Sequence, residues 1–466
     1  MLSLNLEFSS SRKFPLYMRL YRGLLAGISS GEIAGGQRLP SKRALSADLG
    51  LSVNTVDQAY QMLAAEGYIE ARPRSGFYAR QIERLELPGA GRPLPSPVEE
   101  GSDAAPAIDF GTGAADPSLF PYKTWGRIQR EDLSHHPELL SHGPREGDAG
   151  LRLAIARYLH EYRGVNCSAG QIIIGAGMEY LLGLISNLLF DRTFALEDPG
   201  YPRVADILRN NRVEHVFIPV GADGLEIAPL RDSGSDIVYV TPSHQFPTGA
   251  TMPVARRREL LTWAGEATGR YIIEDDYDSE FRFDTRPIPS LQGLDGAGRV
   301  IYTGTFSRCL SPSVRVAYMV LPKSLIAPYR ERFSRYSSTV SRFEQRSLQR
   351  FIEEGYFARH LGRARTSYRA RRDVLLRELT AAFSKENIET FGAHTGLHLV
   401  LRLNTPIGEQ ELIQRAKDAG IRLTGMGEYR KLKYTGSSPS IIIGYSAVGE
   451  DTIKEGCARL KAAWGF

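Results

Sequence analysis

Tyr271-Ile272-Ile273-Glu274-Asp275-Asp276-Tyr277-Asp278-Ser279-Glu280-Phe281-Arg282 is the stretch on which the fold turns. Apolar, β-favouring residues run into a cluster of carboxylates and a tyrosine, which reads as a buried strand ending at a sheet edge. The next apolar run, Val300-Ile301-Tyr302-Thr303-Gly304, continues into Thr305-Phe306-Ser307-Arg308. Open α/β sheets bind ligands beyond the carboxyl ends of their strands. Asp275, Tyr277 and the end of the second run are therefore expected at one ligand-binding edge.

Working outward, apolar strands alternate with amphipathic helices from Ile108 onward, the pattern of an α/β domain with a mainly parallel sheet. The expected strands are Gln171–Ile174, Thr193–Leu196, Val213–Ile218, Ile237–Thr241, Tyr271–Glu274, Val300–Gly304 and Ala317–Leu321. After about Tyr368 a helix and two strands, His398–Leu403 and Ser440–Ser446, predict a smaller α+β subdomain over 368–466.

The first eighty residues read differently. Leu16, Leu20, Leu24 and Ile28 recur at helical spacing up to Gly31. Ser41 caps a second helix, Lys42 to Asp48, and Ser52 a third, Val53 to Glu66. Two short runs, Tyr68–Arg72 and Gly76–Arg80, then flank Pro73-Arg74-Ser75 as a basic hairpin. Three helices and a hairpin make a winged helix-turn-helix. Between the two parts, residues 83–107 carry Pro88, Pro93, Pro95, Pro97 and Pro106 without periodicity, a semi-extended tether.

Composition sets the limits. The chain of 466 residues exceeds one core and suggests several domains. Its net charge of +5 is small, but ten basic and six acidic residues fall in 1–80, leaving 48 against 47 elsewhere. The excess positive charge thus sits on the winged helix, as a phosphate-binding module requires. The three cysteines, Cys167, Cys309 and Cys457, form neither a disulfide framework nor a zinc set, and a cytoplasmic location is expected. No apolar run is long enough to span a membrane, and the N-terminus has no signal-peptide pattern.

Arg38-Leu39-Pro40-Ser41-Lys42-Arg43, Leu51-Ser52-Val53-Asn54-Thr55-Val56, Ala59-Tyr60 and Glu66-Gly67-Tyr68 resemble, in order, the GntR-family DNA-binding domain. The resemblance implies that Ser52, Asn54, Thr55 and Gln58, at the start of the third helix, face the major groove of double-stranded DNA. Arg43 and the wing residues Arg72, Arg74 and Gly76 would meet the backbone or the minor groove. A winged helix used for protein contacts is the alternative.

The 271–282 run and Gly304-Thr305-Phe306-Ser307-Arg308…Ser313-Val314-Arg315 resemble the fold-type I aminotransferase domain of MocR/GabR-type regulators, over residues 108–466. That resemblance implies a pyridoxal 5′-phosphate (PLP) site built at a homodimer interface. Gly177 and Met178 would offer amides to the phosphate at a helix N-terminus, and Arg315 would grip it bidentately. Tyr201 would stack on the pyridine ring, Asp275 would face its nitrogen, and Tyr277 would reach its ring oxygen, since Phe246 stands where aminotransferases carry asparagine. Ser307 completes the cofactor set, and Arg203 and His244 are candidates for touching an effector.

One position departs from the family. Where it carries the lysine that binds PLP as a Schiff base, this chain has Arg308. A guanidinium stays protonated and is no amine nucleophile. Covalent attachment is excluded, transaminase turnover is disfavoured, and non-covalent PLP binding is expected. The alternative is a pocket that has lost PLP and senses another small anion. The motifs look most like regulators of pyridoxine and PLP biosynthesis genes. The competing expectations are a regulator sensing an amino compound such as GABA or taurine with PLP, and a PLP-dependent aminotransferase with an appended domain. Ser440 aligns loosely with the aminotransferase substrate-carboxylate arginine, with Arg422 or Arg430 as substitutes.

Overall fold

The computed structural model describes residues 15–73, 75–81, 106–113, 115–284, 288–433 and 438–466. They fall into two compact units, Met1–Ser102 and Asp103–Phe466. Arg74 and nearly all of the expected tether lie outside the described residues.

The first unit is a winged helix: α1 (Leu16–Ser30), α2 (Lys42–Leu49) and α3 (Val53–Ala65), then an antiparallel hairpin of β1 (Ile69–Arg72) and β2 (Gly76–Ala79). Its boundaries follow the caps read from the sequence. Ser41 accepts the Ala44 amide at 3.1 Å, and Gly31 and Gly50 end their helices in the left-handed region. Leu20, Leu24 and Ile28 of α1 meet Val56, Ala59, Tyr60 and Leu63 of α3 in one core. The Tyr60 hydroxyl donates to the Pro40 carbonyl at 2.9 Å, and its ring meets Phe77 edge-on at 5.0 Å. One side chain therefore ties the lead-in to α2 to the wing. Leu63 is fully buried, so Leu63→Ala is expected to cost about 2–5 kcal/mol, comparable to the whole stability of a small domain. Loss of duplex binding with most helical circular dichroism retained would be the measured result.

The second unit opens with β3 (Ile108–Asp109) and continues through β4 (Ile172–Gly175), β5 (Phe194–Asp198), β6 (His215–Gly221), β7 (Gly224–Leu225), β8 (Ile237–Val240), β9 (Tyr271–Asp276), β10 (Val300–Thr305) and β11 (Ala317–Val320). Eight of these strands form a sheet in the order β4-β11-β10-β9-β8-β5-β6-β7. β11 runs against both its neighbours, and β7 against β6. The sheet is thus mainly parallel, as the alternating pattern predicted. The reversal of β11 was not foreseeable, because apolar patterning carries no strand direction. Helix Met178–Leu188 covers one face and Val254–Gly265 the other, each with its own apolar cluster.

A four-stranded sheet follows, built from β12 (Ile388–Phe391), β13 (His398–Leu403), β15 (Thr424–Gly425) and β16 (Ser440–Gly444) in the order β12-β13-β16-β15. The remaining strand, β14 (Ile421–Arg422), pairs in parallel with β3. The first segment of the second unit therefore joins the smaller subdomain by hydrogen bonds, an arrangement the sequence boundaries did not anticipate. The helix expected after Tyr368 begins earlier and spans Tyr356–Phe383.

Candidate ligand cavity and nucleic-acid interface

At the carboxyl edge of the large sheet lies a cavity of about 330 Å³. β9 brings Asp275 and Tyr277 to it, and the turn after β10 brings Ser307 and Arg308. The turn after β4 adds Gly177 and Met178, and Arg315 arrives just before β11. Tyr201 and Arg203, from the turn and helix after β5, also line it. All eight residues expected to contact PLP, together with Arg203, thus share one hollow.

Asp275 lies at the cavity wall, buried, accepting a short hydrogen bond from the Tyr239 hydroxyl and a longer one, 3.5 Å, from Thr303. Burial pushes its carboxyl up to about 7, against the pull of the Tyr239 hydroxyl. Beside it stand the aromatic rings of Tyr201, Phe246 and Tyr277. Phe246 meets Tyr201 at 5.7 Å, Tyr277 at 6.2 Å and Tyr429 at 5.1 Å, edge-on in each case. A second buried carboxyl, Glu197, accepts the Thr241 amide and hydroxyl at 3.1 and 2.7 Å, and burial raises it to about 7 as well.

The glycine turn is shaped by Arg315. Gly177 has φ +96, and a Cβ there would overlap the Arg315 guanidinium, so only glycine keeps that cation against the helix start. The Gly177 amide turns back onto the Gly175 carbonyl at 2.9 Å, which leaves Met178 as the amide that begins the helix. Glu179, in the first turn, bridges two cations: Arg203 at 2.6 Å and Arg315 at 2.9 Å. Arg308 donates to the Thr112 carbonyl, from the segment that also brings Gly113 to the cavity.

Two expectations are corrected. His244 does not line the cavity. It is buried behind Tyr277, with Nδ1 2.9 Å from Asp278 and its ring 4.5 Å from His398, because the chain turns inward at Gln245, whose side chain spans the Pro199 and Phe246 carbonyls and Thr248. The Tyr277 hydroxyl is likewise engaged, donating to the His244 carbonyl at 2.9 Å and lying 3.1 Å from its Nδ1. Neither Ser440 nor Arg422 lines the cavity. The Ser440 amide donates to Glu409 at 3.3 Å, and Arg422 pairs with Asp109 at 3.2 Å. Sequence reasoning missed Glu179, Tyr239, Thr112 and Gly113. Only Glu179 left a local signal, an acid one residue past the expected phosphate-binding turn.

On the winged helix, Ser52 accepts the Thr55 amide at 3.1 Å and lies 2.8 Å from the Thr55 hydroxyl. Both hydroxyls are thus engaged in the cap. Asn54 and Gln58 stand exposed one turn apart on α3. Arg43 and Gly76 are exposed, whereas Arg72 bonds Glu70 at 2.6 Å and lies over the Tyr78 ring at 4.3 Å. Lys42 is drawn to Asp57 and the Phe77 ring.

A winged helix followed by an aminotransferase-fold domain defines a helix-turn-helix transcription regulator of composite build. Residues 16–79 match the family of bacterial regulatory proteins named gntR, and residues 107–460 match aminotransferase class I and II. The chain is 40% identical to the uncharacterized HTH-type transcriptional regulator YdeL of Bacillus subtilis, over 97% of each chain. It is 33% identical to the probable rhizopine catabolism regulatory protein MocR of Rhizobium meliloti (97% and 94% covered). To the HTH-type pyridoxine biosynthesis transcriptional regulator PdxR of Corynebacterium glutamicum it is 29% identical (94% and 93%). The multiple substrate aminotransferase of Thermococcus profundus superposes with a TM-score of 0.68 at 27% identity, covering 78% of this chain and 92% of that one. The chain belongs to the MocR-type branch of the GntR family of regulators. No helix among the described residues is long and apolar enough to cross a membrane.

Proposed function

We propose that this protein is a PLP-responsive regulator rather than an enzyme: its cavity holds PLP without a covalent link, and its winged helix reads double-stranded DNA. The observation that carries the reading is the convergence of Asp275, Tyr201, Tyr277, Arg308, Arg315 and the glycine turn on one hollow. The residues fit the group. The buried carboxyl of Asp275 suits a protonated ring nitrogen, the aromatic wall suits a flat ring, and the helix start with Arg315 suits a phosphate. PLP, when bound, supplies an electron-withdrawing pyridinium ring and a dianionic handle. The chain's own contribution is to bind and orient it. No lysine among the described residues lines the cavity, so the group that elsewhere forms the covalent link and moves the proton has no counterpart there.

PLP itself as the signal is favoured over an amino compound by the cavity's charge distribution. Arg203 and Arg315 gather at the glycine turn with Glu179, and the third cation is Arg308. The small-subdomain cluster beyond Phe246 and Tyr429 is apolar, built from Val400, Met426 and Ile442, and Arg422 is paired with Asp109 instead. Together with the likeness to PdxR, this supports control of vitamin B6 biosynthesis genes. The protein works as a homodimer, matching the two-fold symmetry of operators, and acts in the cytoplasm on chromosomal DNA.

Isothermal titration with PLP, then with GABA and taurine, tests the reading. Saturable binding of PLP alone is expected. Amine binding that requires PLP would replace this proposal with the amine-sensor reading. On the DNA side, Asn54→Ala or Gln58→Ala should each cost about 1–3 kcal/mol of operator affinity with little effect on random duplex. Arg43→Ala should weaken every duplex alike and lower the salt slope by roughly one. Fluorescence anisotropy across a salt series measures both.

A further inference from the structure

Between Arg359 and Arg372, helix Tyr356–Phe383 carries six arginines and no acidic residue. Beyond residue 80 the chain is nearly neutral, 48 basic against 47 acidic residues, so this stretch is a local concentration of charge. The six divide by face. Arg371 pairs with Asp116, and Arg372 with Asp284 and Asp373. Arg359, Arg363, Arg365 and Arg369 are exposed. At 3.6 residues per turn they fall within an arc of about 160°, with the small, exposed residues Ala358, Gly362 and Thr366 between them.

None of the four pairs with a carboxylate among the described residues. Arg359 lies over the Tyr356 ring at 4.6 Å and donates to the Glu354 carbonyl at 3.2 Å. Arg365 and Arg369 donate to the Glu280 and Phe283 carbonyls. These contacts orient the guanidiniums without neutralising them. The Glu280 carboxyl turns inward, Oε1 accepting the Tyr158 hydroxyl at 2.8 Å and Oε2 buried, and Glu354 is held by Arg350 at 2.7 Å. Glu161 and Glu353 line a groove at one end of the stripe, together with Arg157. Five arginines against two glutamates still leave an excess of three positive charges.

A row of exposed guanidiniums with small residues between them suits a polyanion whose charges repeat along a line. For a protein that holds duplex DNA, the phosphate backbone is that polyanion. The winged helix spends part of its own charge internally, Lys42 on Asp57, and Arg72 and Arg80 on Glu70. Phosphate contacts supply essentially all of non-specific affinity. We propose that the exposed face of helix Tyr356–Phe383 is a second DNA-contact surface, on which Arg359, Arg363 and Arg369 meet backbone phosphates. This rests on the DNA-binding reading of the winged helix. The chain joining the two units would keep a duplex held by one at high local concentration near the other.

Fluorescence anisotropy of the full chain on a random duplex of about 60 base pairs, across a salt series, tests it. The triple variant Arg359→Gln, Arg363→Gln, Arg369→Gln should bind at least about tenfold more weakly at low salt, with a salt slope lower by roughly two to three. A control removes the same charge from exposed arginines that are each paired with a glutamate: Arg402→Gln, Arg415→Gln and Arg459→Gln together. It should keep the wild-type slope. Asn54→Ala, on the winged helix, should lose operator preference at an unchanged slope, so failure of that reading shows separately. A wild-type slope in the stripe variant, or an equal loss in the control, would overturn the proposal. Should the triple variant melt early, Arg363→Gln alone decides, since that side chain makes no hydrogen bond or ion pair among the described residues. It should lower the slope by roughly one, and an unchanged slope rejects the surface.

Discussion

Arg308→Lys is expected to give the mixture of protein and PLP a new absorption band, red-shifted from that of free PLP. The variant should retain the ligand through dialysis and, after borohydride treatment, through denaturation. The wild-type protein should release PLP under the same conditions. The reason is the chemistry of the side chain. A guanidinium remains protonated and delocalised, whereas a lysine amine in a partly desolvated cavity loses its proton readily and attacks an aldehyde. Arg308 lines the same hollow as Asp275, Tyr201 and Tyr277, so a lysine there starts among the groups meant to hold the ring. Should saturating PLP leave the spectrum of the variant unchanged, the assignment of this cavity is wrong.

Asp275→Asn should have two opposite effects. Affinity for PLP should fall about 10- to 100-fold, the loss of one charge-assisted hydrogen bond to a buried partner. Stability above neutral pH should rise. The Asp275 carboxyl titrates near 3.8 when exposed and is pushed up to about 7 by burial in the native state. Between those values the native protein keeps a proton that the unfolded chain has released, so this group's contribution to stability falls as pH rises from about 4 to 7. Above 7 the full penalty of a buried carboxylate is present, on the order of 2–4 kcal/mol. Asparagine carries no such penalty. The variant should therefore melt several degrees above the wild type at pH 8, with the gap closing toward pH 4. A constant gap across that range would remove Asp275 as its source. Glu274 and Glu280, which burial also raises to about 7, are common to both proteins and cancel in the comparison, whereas Glu197, which the Asp275 charge helps to raise, shares in the change.

Much of this site was legible because its residues sit where local rules are strong. A strand ending in Glu274-Asp275-Asp276-Tyr277 and a glycine turn before an apolar helix carry their positions in their own sequence. What escaped was supplied from elsewhere in the chain. Gly113 reaches the cavity, and the Thr112 carbonyl holds Arg308, from a segment hydrogen-bonded into the small subdomain through β3 and β14. Tyr239 reaches Asp275 across neighbouring strands, and strand order is not written in periodicity. His244 was misplaced for a related reason. A polar residue in a loop reads as available, yet Gly249 and Gly392 come close enough that a Cβ on either would meet the other's backbone, drawing the loop against the small subdomain and His244 inside with it. The early start of helix Tyr356–Phe383 was hidden by its arginines, which dilute the apolar stripe between Phe357 and Tyr368.

The carboxylate of Glu179 has a further consequence for what kind of device this is. Resting between Arg203 and Arg315, it acts as a built-in stand-in for the anion that would otherwise claim them. On the proposed reading, an incoming phosphate would have to displace a resident rival that never diffuses away, and without a lysine it would not be anchored afterwards. Occupancy would then rise and fall with the free concentration outside. That suits a gauge rather than a catalyst, whose prosthetic group should stay put.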